Sequence, residues 1–178
     1  GRCLAELNAA RVRFSPVPDR QNTATCGLHQ GGVLGADLGT VARMAPGDVT
    51  VTCETALALS VWRRQSLEPA AREILGSEVV QIDHFGVYAC RPVNNGRGST
   101  RPSTHGRAAA LDFAGVRLRD GRRITVTKDW SGDTPEARFL KRIRDDACRI
   151  FGTTLSPDYN AVHHDHLHLE AGRPGLCS

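Results

Sequence analysis

Ala109-Ala110-Leu111-Asp112-Phe113-Ala114-Gly115-Val116-Arg117-Leu118 runs into Arg119-Asp120-Gly121-Arg122, and then into Arg123-Ile124-Thr125-Val126-Thr127-Lys128. The stretch reads as strand, turn, strand. Asp-Gly between two apolar runs is a strong hairpin signal, because Gly supplies the positive φ that a tight turn needs. Ala109–Leu118 is therefore the outgoing strand and Arg123–Lys128 the returning one. Upstream, Val79–Cys90 reads as one or two further strands, joined to the hairpin by a loop centred on Asn94-Asn95-Gly96-Arg97-Gly98. Downstream, Thr134-Pro135-Glu136 opens a helix that runs to about Phe151 and closes at Gly152. Its apolar face is expected at Phe139, Ile143, Cys148 and Ile150. His166–Leu169 reads as a short last strand.

The first part of the chain is less periodic. Residues 4–12 suit a short helix. Residues 14–50 are rich in Gly, Pro and Thr and read as loop with short strands. Residues 53–75 look helical, with Leu57, Trp62, Leu67, Ala71, Ile74 and Leu75 spaced for a buried stripe. Pro69 predicts a break, with Glu68-Pro69 opening a second helix, and Gly76 a stop. Helices, then strands, one helix and a final strand imply an α+β fold with a mainly antiparallel sheet and flanking helices. At 178 residues the chain suits one domain. Residues 1–52 are expected as a loop-rich part packed on a 53–178 core.

Composition narrows the function. Arg far outnumbers Lys and net charge is +4, with basic clusters at Arg117, Arg119, Arg122 and Arg123 and at Lys141, Arg142 and Arg144. Aromatic residues are only 5% and acids are interleaved, which argues against nucleic acid as a partner. The clusters read as a solvated face, or more sharply as attraction to an anionic polymer or surface. No apolar run approaches the ~20 residues of a membrane span. Gly1-Arg2-Cys3-Leu4 does not read as a signal peptide, so a leader removed or lying upstream is expected. Six cysteines, Cys3, Cys26, Cys53, Cys90, Cys148 and Cys177, are widely spaced without a C-x-x-C pair. That usage suggests up to three disulfides in an oxidising compartment, with the pairing open.

Four of the seven histidines, His163, His164, His166 and His168, lie within six residues. On a strand His166 and His168 share one face, while Leu167 and Leu169 turn into the core. Such a pair suits one metal ligand beside one working group. His105 precedes the strand that carries Asp112. Joined to a histidine of the last strand, they make a mixed nitrogen and oxygen set that suits zinc with an open position for water.

Ser103, His105, Ala110 and Asp112 resemble the S-x-H-x-x-G-x-A-x-D pattern of zinc peptidases related to D-Ala-D-Ala carboxypeptidases and dipeptidases, murein endopeptidases and the Hedgehog domain. Asp165-His166-Leu167-His168 resembles their later H-x-H element. More narrowly, Tyr88-Ala89-Cys90-Arg91, Ser103–Asp112, Phe139–Gly152 and Pro157-Asp158-Tyr159-Asn160 leading into His163–His168 are similar to the bacterial extensin-like C-terminal domain family. The likeness covers about residues 50–178, with weaker support from Cys26-Gly27 onward. The pattern's Gly is Ala108 here, a departure that matters if the position needs positive φ.

The resemblance implies a Hedgehog- or D-Ala-D-Ala peptidase-like fold stapled by disulfides. It implies one zinc ion per chain on His105, Asp112 and His168, with His166 as catalytic base and Arg91 at the scissile carbonyl. Ser103, His163 and Asp165 are expected against substrate or behind the ligands, with Asp165 and Glu170 as alternative acid/base groups. The activity implied is a peptidoglycan hydrolase of the periplasm or cell exterior, a D,D-endopeptidase on crosslinks. The alternatives are a D,D-carboxypeptidase on terminal D-Ala-D-Ala and a non-catalytic zinc-containing cell-wall binding module. No oligomeric state is assigned.

Overall fold

The computed structural model describes residues 1–87 and 104–178. Cys90, Arg91, the Asn94–Gly98 loop and Ser103 lie outside the described residues. In chain order the elements are α1 (Arg2–Ala9), β1 (Val12–Pro16), β2 (Arg20–Gln21), β3 (Gly27–Leu28), β4 (Gly31–Asp37), β5 (Arg43–Ala45), β6 (Val49–Thr52) and α2 (Cys53–Trp62). There follow α3 (Glu68–Ala70), β7 (Val79–His84), β8 (Ala110–Leu118), β9 (Arg123–Thr125), α4 (Val126–Asp129), α5 (Pro135–Ile150), β10 (Thr153–Leu155) and β11 (Leu167–Glu170).

Strand β8 organises the main sheet. It pairs with β7 along one edge, and with β11 and then β9 along the other. The six strands lie in the order β10-β11-β8-β7-β5, with β9 added beside β8. Every pairing is antiparallel except β5 with β7. The expected α+β class and mainly antiparallel sheet are therefore present. The Asp120-Gly121 turn is also where the sequence puts it, with Gly121 at φ +95°.

The returning strand is shorter than expected. It stops at Thr125, whose hydroxyl accepts the Lys128 N–H at 3.2 Å and caps α4. A threonine able to satisfy a free helix N–H ends a strand that β-propensity alone would extend. The expected break at Pro69 does not occur either. The helical path runs from Cys53 to Leu75, widened into π turns at Arg63–Leu67 and Ala71–Leu75 on either side of α3. Proline lacks the N–H that would close the preceding turn, and wider turns absorb the loss without ending the helix. Gly76 then stops it, as expected. Gly152 plays another part. Its φ is not left-handed, and a Cβ there would sit 2.3 Å from the Arg173 carbonyl oxygen, so it allows the C-terminal segment to pack close.

Residues 1–52 hold more sheet than loop. The first helix is Arg2–Ala9, and the chain is already in β1 at Val12. Strands β1, β4 and β6 form a three-stranded antiparallel sheet. The Gly-rich start of β4, in the stretch that reads as loop with short strands, is strand because its glycines admit a neighbour. A Cβ on Gly32 would lie 2.6 Å from the Ser15 carbonyl oxygen. The buried Asp37 carboxylate ends β4, accepts from Ser60 Oγ at 2.9 Å and pairs with Arg64, tying this sheet to the long helix. Disulfides join Cys3 to Cys53 and Cys148 to Cys177. Cys26 is disulfide-bonded as well.

The core lies between the long helix, α5 and one face of the main sheet. Trp62, Phe113, Phe139, Leu140, Leu111, Leu167 and Leu169 are fully buried there. On α5, Phe139 and Ile143 are buried as expected, joined by Leu140 and Ala147, while Cys148 and Ile150 are half-buried at the margin. The basic clusters are largely answered by acids. Arg119 meets Glu78 at 2.7 Å, Arg122 meets Asp120 at 3.0 Å, Arg123 meets Asp83 at 3.3 Å and Arg142 meets Glu73 at 2.6 Å. These are solvated pairs of little energetic weight. Among the described residues no helix is long and apolar enough to cross a membrane.

Candidate metal centre

The register of two strands brings the first two groups together. His168 on β11 stands directly opposite Asp112 on β8. Directly opposed residues of antiparallel strands put their side chains on one face. Their neighbours Leu111, Phe113, Leu167 and Leu169 go to the other face, into the core. His105 arrives from a 3-10 turn, Thr104–Arg107, just ahead of β8. His105, Asp112 and His168 each offer one ligand atom, and these atoms lie within 4.8 Å of one another.

Each imidazole is held from behind. His105 Nδ1 lies 2.6 Å from the Val87 carbonyl oxygen, which can only accept, so Nδ1–H donates and Nε2 is the ring nitrogen left to face the cluster. Nε2 lies 3.0 Å from Asp112 Oδ1. His168 is mounted the other way round, with Nε2–H donating to Glu170 Oε1 at 3.0 Å and Nδ1 3.4 Å from Asp112 Oδ1. Thr104 Oγ1 donates to the same Glu170 oxygen at 2.8 Å. A carboxylate behind an imidazole fixes the ring and raises its basicity.

The corner after β7 supports the site from below. Phe85 N–H donates to the Asp112 carbonyl at 2.8 Å, and Asp112 N–H donates to the Gly86 carbonyl at 3.2 Å. His84 secures this corner through backbone groups. Its Nε2–H donates to Pro46 O at 2.7 Å and its Nδ1 accepts the Gly86 N–H at 3.0 Å. Burial pushes its pKa down, which keeps that neutral form.

The electrostatics favour a cation. Burial acts to raise the Asp112 carboxyl, but hydrogen bonds from His105 and His168, with the charge of His105 and His166, hold it well below the usual carboxylate range. Burial acts to lower His168, yet Asp112 and Glu170 on its two sides push it up to about 9. Positive charge between those carboxylates is thus stabilised. Two imidazole nitrogens and one carboxylate oxygen, converging and buried, are the donor chemistry of a catalytic zinc site with an open position. The residues present fit such an ion.

His166 stands beside the cluster. It precedes β11 rather than lying within it, since the strand begins at Leu167. It still faces the same way, with Nε2 3.6 Å from Asp112 Oδ1 and Nδ1–H donating to Asp165 Oδ1 at 2.8 Å. His163 lies against it, ring centroids 4.9 Å apart, with Nδ1–H donating to Asn160 Oδ1 at 2.6 Å. Burial, aided by the charge of His166 and His168, pushes His163 down to about 4, so it is neutral at pH 7. Of the expected site residues, the structure gathers His105, Asp112, His168, His166, His163 and Asp165. Arg91 and Ser103 lie outside the described residues.

Ala108 closes the turn after His105 with φ +56°, the left-handed region that glycine occupies freely. Its carbonyl accepts the Thr52 N–H at 3.2 Å, which holds the turn against the start of α2.

Fold and site together define a disulfide-bonded α+β protein with a buried His-Asp-His cluster on one sheet face. The chain belongs to the family described as extensin-like protein C-terminus, whose model matches residues 1–178. The match extends over residues 1–25 as well, which lie outside the reach of the sequence resemblance. No curated protein and no solved structure matches the chain.

Glu170, an acid/base candidate on the resemblance, accepts from His168 Nε2–H behind the cluster. Glu170→Gln keeps its shape and removes its charge. Zinc affinity is expected to fall about 10–100-fold. Competition with a chromogenic chelator reads this directly, and unchanged affinity would remove Glu170 from behind His168.

Proposed function

We propose that this chain is a zinc metallopeptidase of the bacterial cell envelope that hydrolyses peptidoglycan peptides, as a D,D-endopeptidase on crosslinks. The observation that carries the reading is the approach of His166 Nε2 to within 3.6 Å of Asp112 Oδ1, beside the converging His105 and His168. A purely structural site has no need of a third, carboxylate-backed imidazole beside its three donors. The resemblance to zinc peptidases of the D-Ala-D-Ala and murein endopeptidase kind supplies the substrate class. The disulfides suit a periplasmic or extracellular setting.

His105 Nε2, His168 Nδ1 and an Asp112 oxygen would hold one zinc ion. Zinc bound there supplies Lewis acidity, lowering the pKa of a water toward ~7 and polarising a carbonyl. The remaining work falls to the chain. Asp165 holds Nδ1–H of His166, which leaves Nε2 as the basic atom facing the site. His166 takes the proton of the attacking water at Nε2 and returns it to the departing amine. The ionised Asp165 stabilises the imidazolium between those steps. Arg91, carried over from the resemblance, would add charge at the scissile carbonyl.

The test is mass spectrometry of purified muropeptides incubated with zinc-loaded protein. Crosslinked dimers should become monomers, chelation should stop the reaction and added zinc should restore it. Loss of terminal D-Ala alone would reassign the chain as a carboxypeptidase. No cleavage by protein carrying one zinc per chain would sink the hydrolase reading and leave a binding module.

A further inference from the structure

Two large aromatic side chains stand exposed at the site. Phe85 is 61% exposed and Tyr159 is 40% exposed. Phe85 packs edge-on against His166, with centroids 6.4 Å apart, and Tyr159 packs edge-on against His163 at 5.6 Å. His163 and His166 touch each other. The four rings thus touch in succession, Phe85 to His166 to His163 to Tyr159, with an exposed aromatic at each end.

Neither end ring sits on a loose segment. The Phe85 N–H is bonded to the carbonyl of Asp112. The Tyr159 N–H donates to Ser156 O at 2.9 Å, and the next residue, Asn160, holds His163. Rigid aromatics bring contact area at low entropic cost, and leaving them in water forgoes the burial that a ligand would provide.

We infer that Phe85 and Tyr159 are the two outer contacts of a groove that grips an extended peptide on both sides of the bond at His166. The inference rests on the hydrolase reading and deepens it. Aromatic faces select aliphatic, CH-rich surface rather than dense charge, so the peptide would present small apolar side chains to both rings. A ligand ending at the reacting bond reaches one ring, whereas a chain continuing past it reaches both. The geometry therefore points to a substrate with chain on both sides of the reacting bond, as a crosslink has.

The test uses zinc-loaded protein and a crosslinked muropeptide dimer whose reacting amide is replaced by a methylene-amine that cannot be hydrolysed. Equilibrium binding is measured for the wild type, Phe85→Ala and Tyr159→Ala, with zinc content as the control for an intact centre. Each substitution should weaken dimer binding about 10-fold. A single stem peptide ending at that bond should respond to only one of them. Tyr159→Phe should bind as the wild type does, because it keeps the ring. The inference is overturned if the wild type does not bind the dimer, or if neither substitution weakens binding more than about twofold. Ring-dependent binding together with no turnover of the natural amide would sink the hydrolase reading and leave the groove standing.

Discussion

His105→Ala is expected to leave the protein without stoichiometric zinc, while His166→Ala keeps the metal and loses turnover. The two residues lie on the same site but are mounted for different work. His105 is buried, its Nδ1–H is committed to the Val87 carbonyl, and its only remaining ring nitrogen points at the cluster. Its removal leaves two of three donors, so the loss should exceed the 10–100-fold that a supporting residue costs. His166 is not among the three converging donors, and its Nδ1–H is turned back to Asp165. Losing a general base costs typically about 10²–10⁴ in rate. Metal analysis after dialysis, set against dimer cleavage, separates the two. Full zinc with normal activity in His105→Ala would overturn the ligand assignment. Zinc loss in His166→Ala would make His166 a ligand.

The contrast also explains how much of the centre is legible in the chain. Asp112 and His168 are legible because period-two alternation assigns Leu111, Phe113, Leu167 and Leu169 to the core and the polar partners to the opposite face. Sequence does not give the register that sets His168 opposite Asp112. That depends on how β11 enters beside β8, ahead of β9 on the same edge. The role of Glu170 follows from register too, since it needs to be known which His168 nitrogen faces Asp112. The Gly86–Val87 corner carries almost no sequence signal, because it acts through backbone carbonyls. Ala108 is an intermediate case. The departure from Gly is visible, but only the structure places the residue at φ +56°. Holding a side chain there costs on the order of 1–2 kcal/mol, and the Thr52 and His105 backbone contacts of that turn offset it. The long helix misleads for a related reason. Proline is a local stop signal, and the buried stripe from Leu59 to Leu75 overrides it by widening the turns.

Trp62→Ala should be the most damaging single change outside the metal centre. The ring is fully buried, meets Phe113 edge-on at 5.3 Å and Phe151 at 6.1 Å, and donates Nε1–H to the Ile143 carbonyl at 3.0 Å. It therefore joins the long helix to α5 and to β8 at one point. Truncation of a core tryptophan costs roughly 3–5 kcal/mol through lost transfer energy and the cavity left behind. For a domain of this size that is a fall of about 6–20 °C in Tm. Trp62→Phe keeps most of the apolar volume and loses the hydrogen bond, so about 1–2 kcal/mol is expected. Denaturant unfolding with disulfides intact measures both. A loss under about 1 kcal/mol for Trp62→Ala would mean the layers are held together elsewhere. Phe113 adjoins Asp112 on β8, so the cavity opens directly behind the strand that carries a proposed ligand. If β8 is held chiefly by its own ladders with β7 and β11, zinc affinity of the folded variant should stay near that of the wild type. If Trp62 is what presses β8 into place, affinity should fall along with stability. Asp112 is held on both edges, opposite His168 of β11 and by the Phe85 and Gly86 backbone groups after β7, which favours the first result.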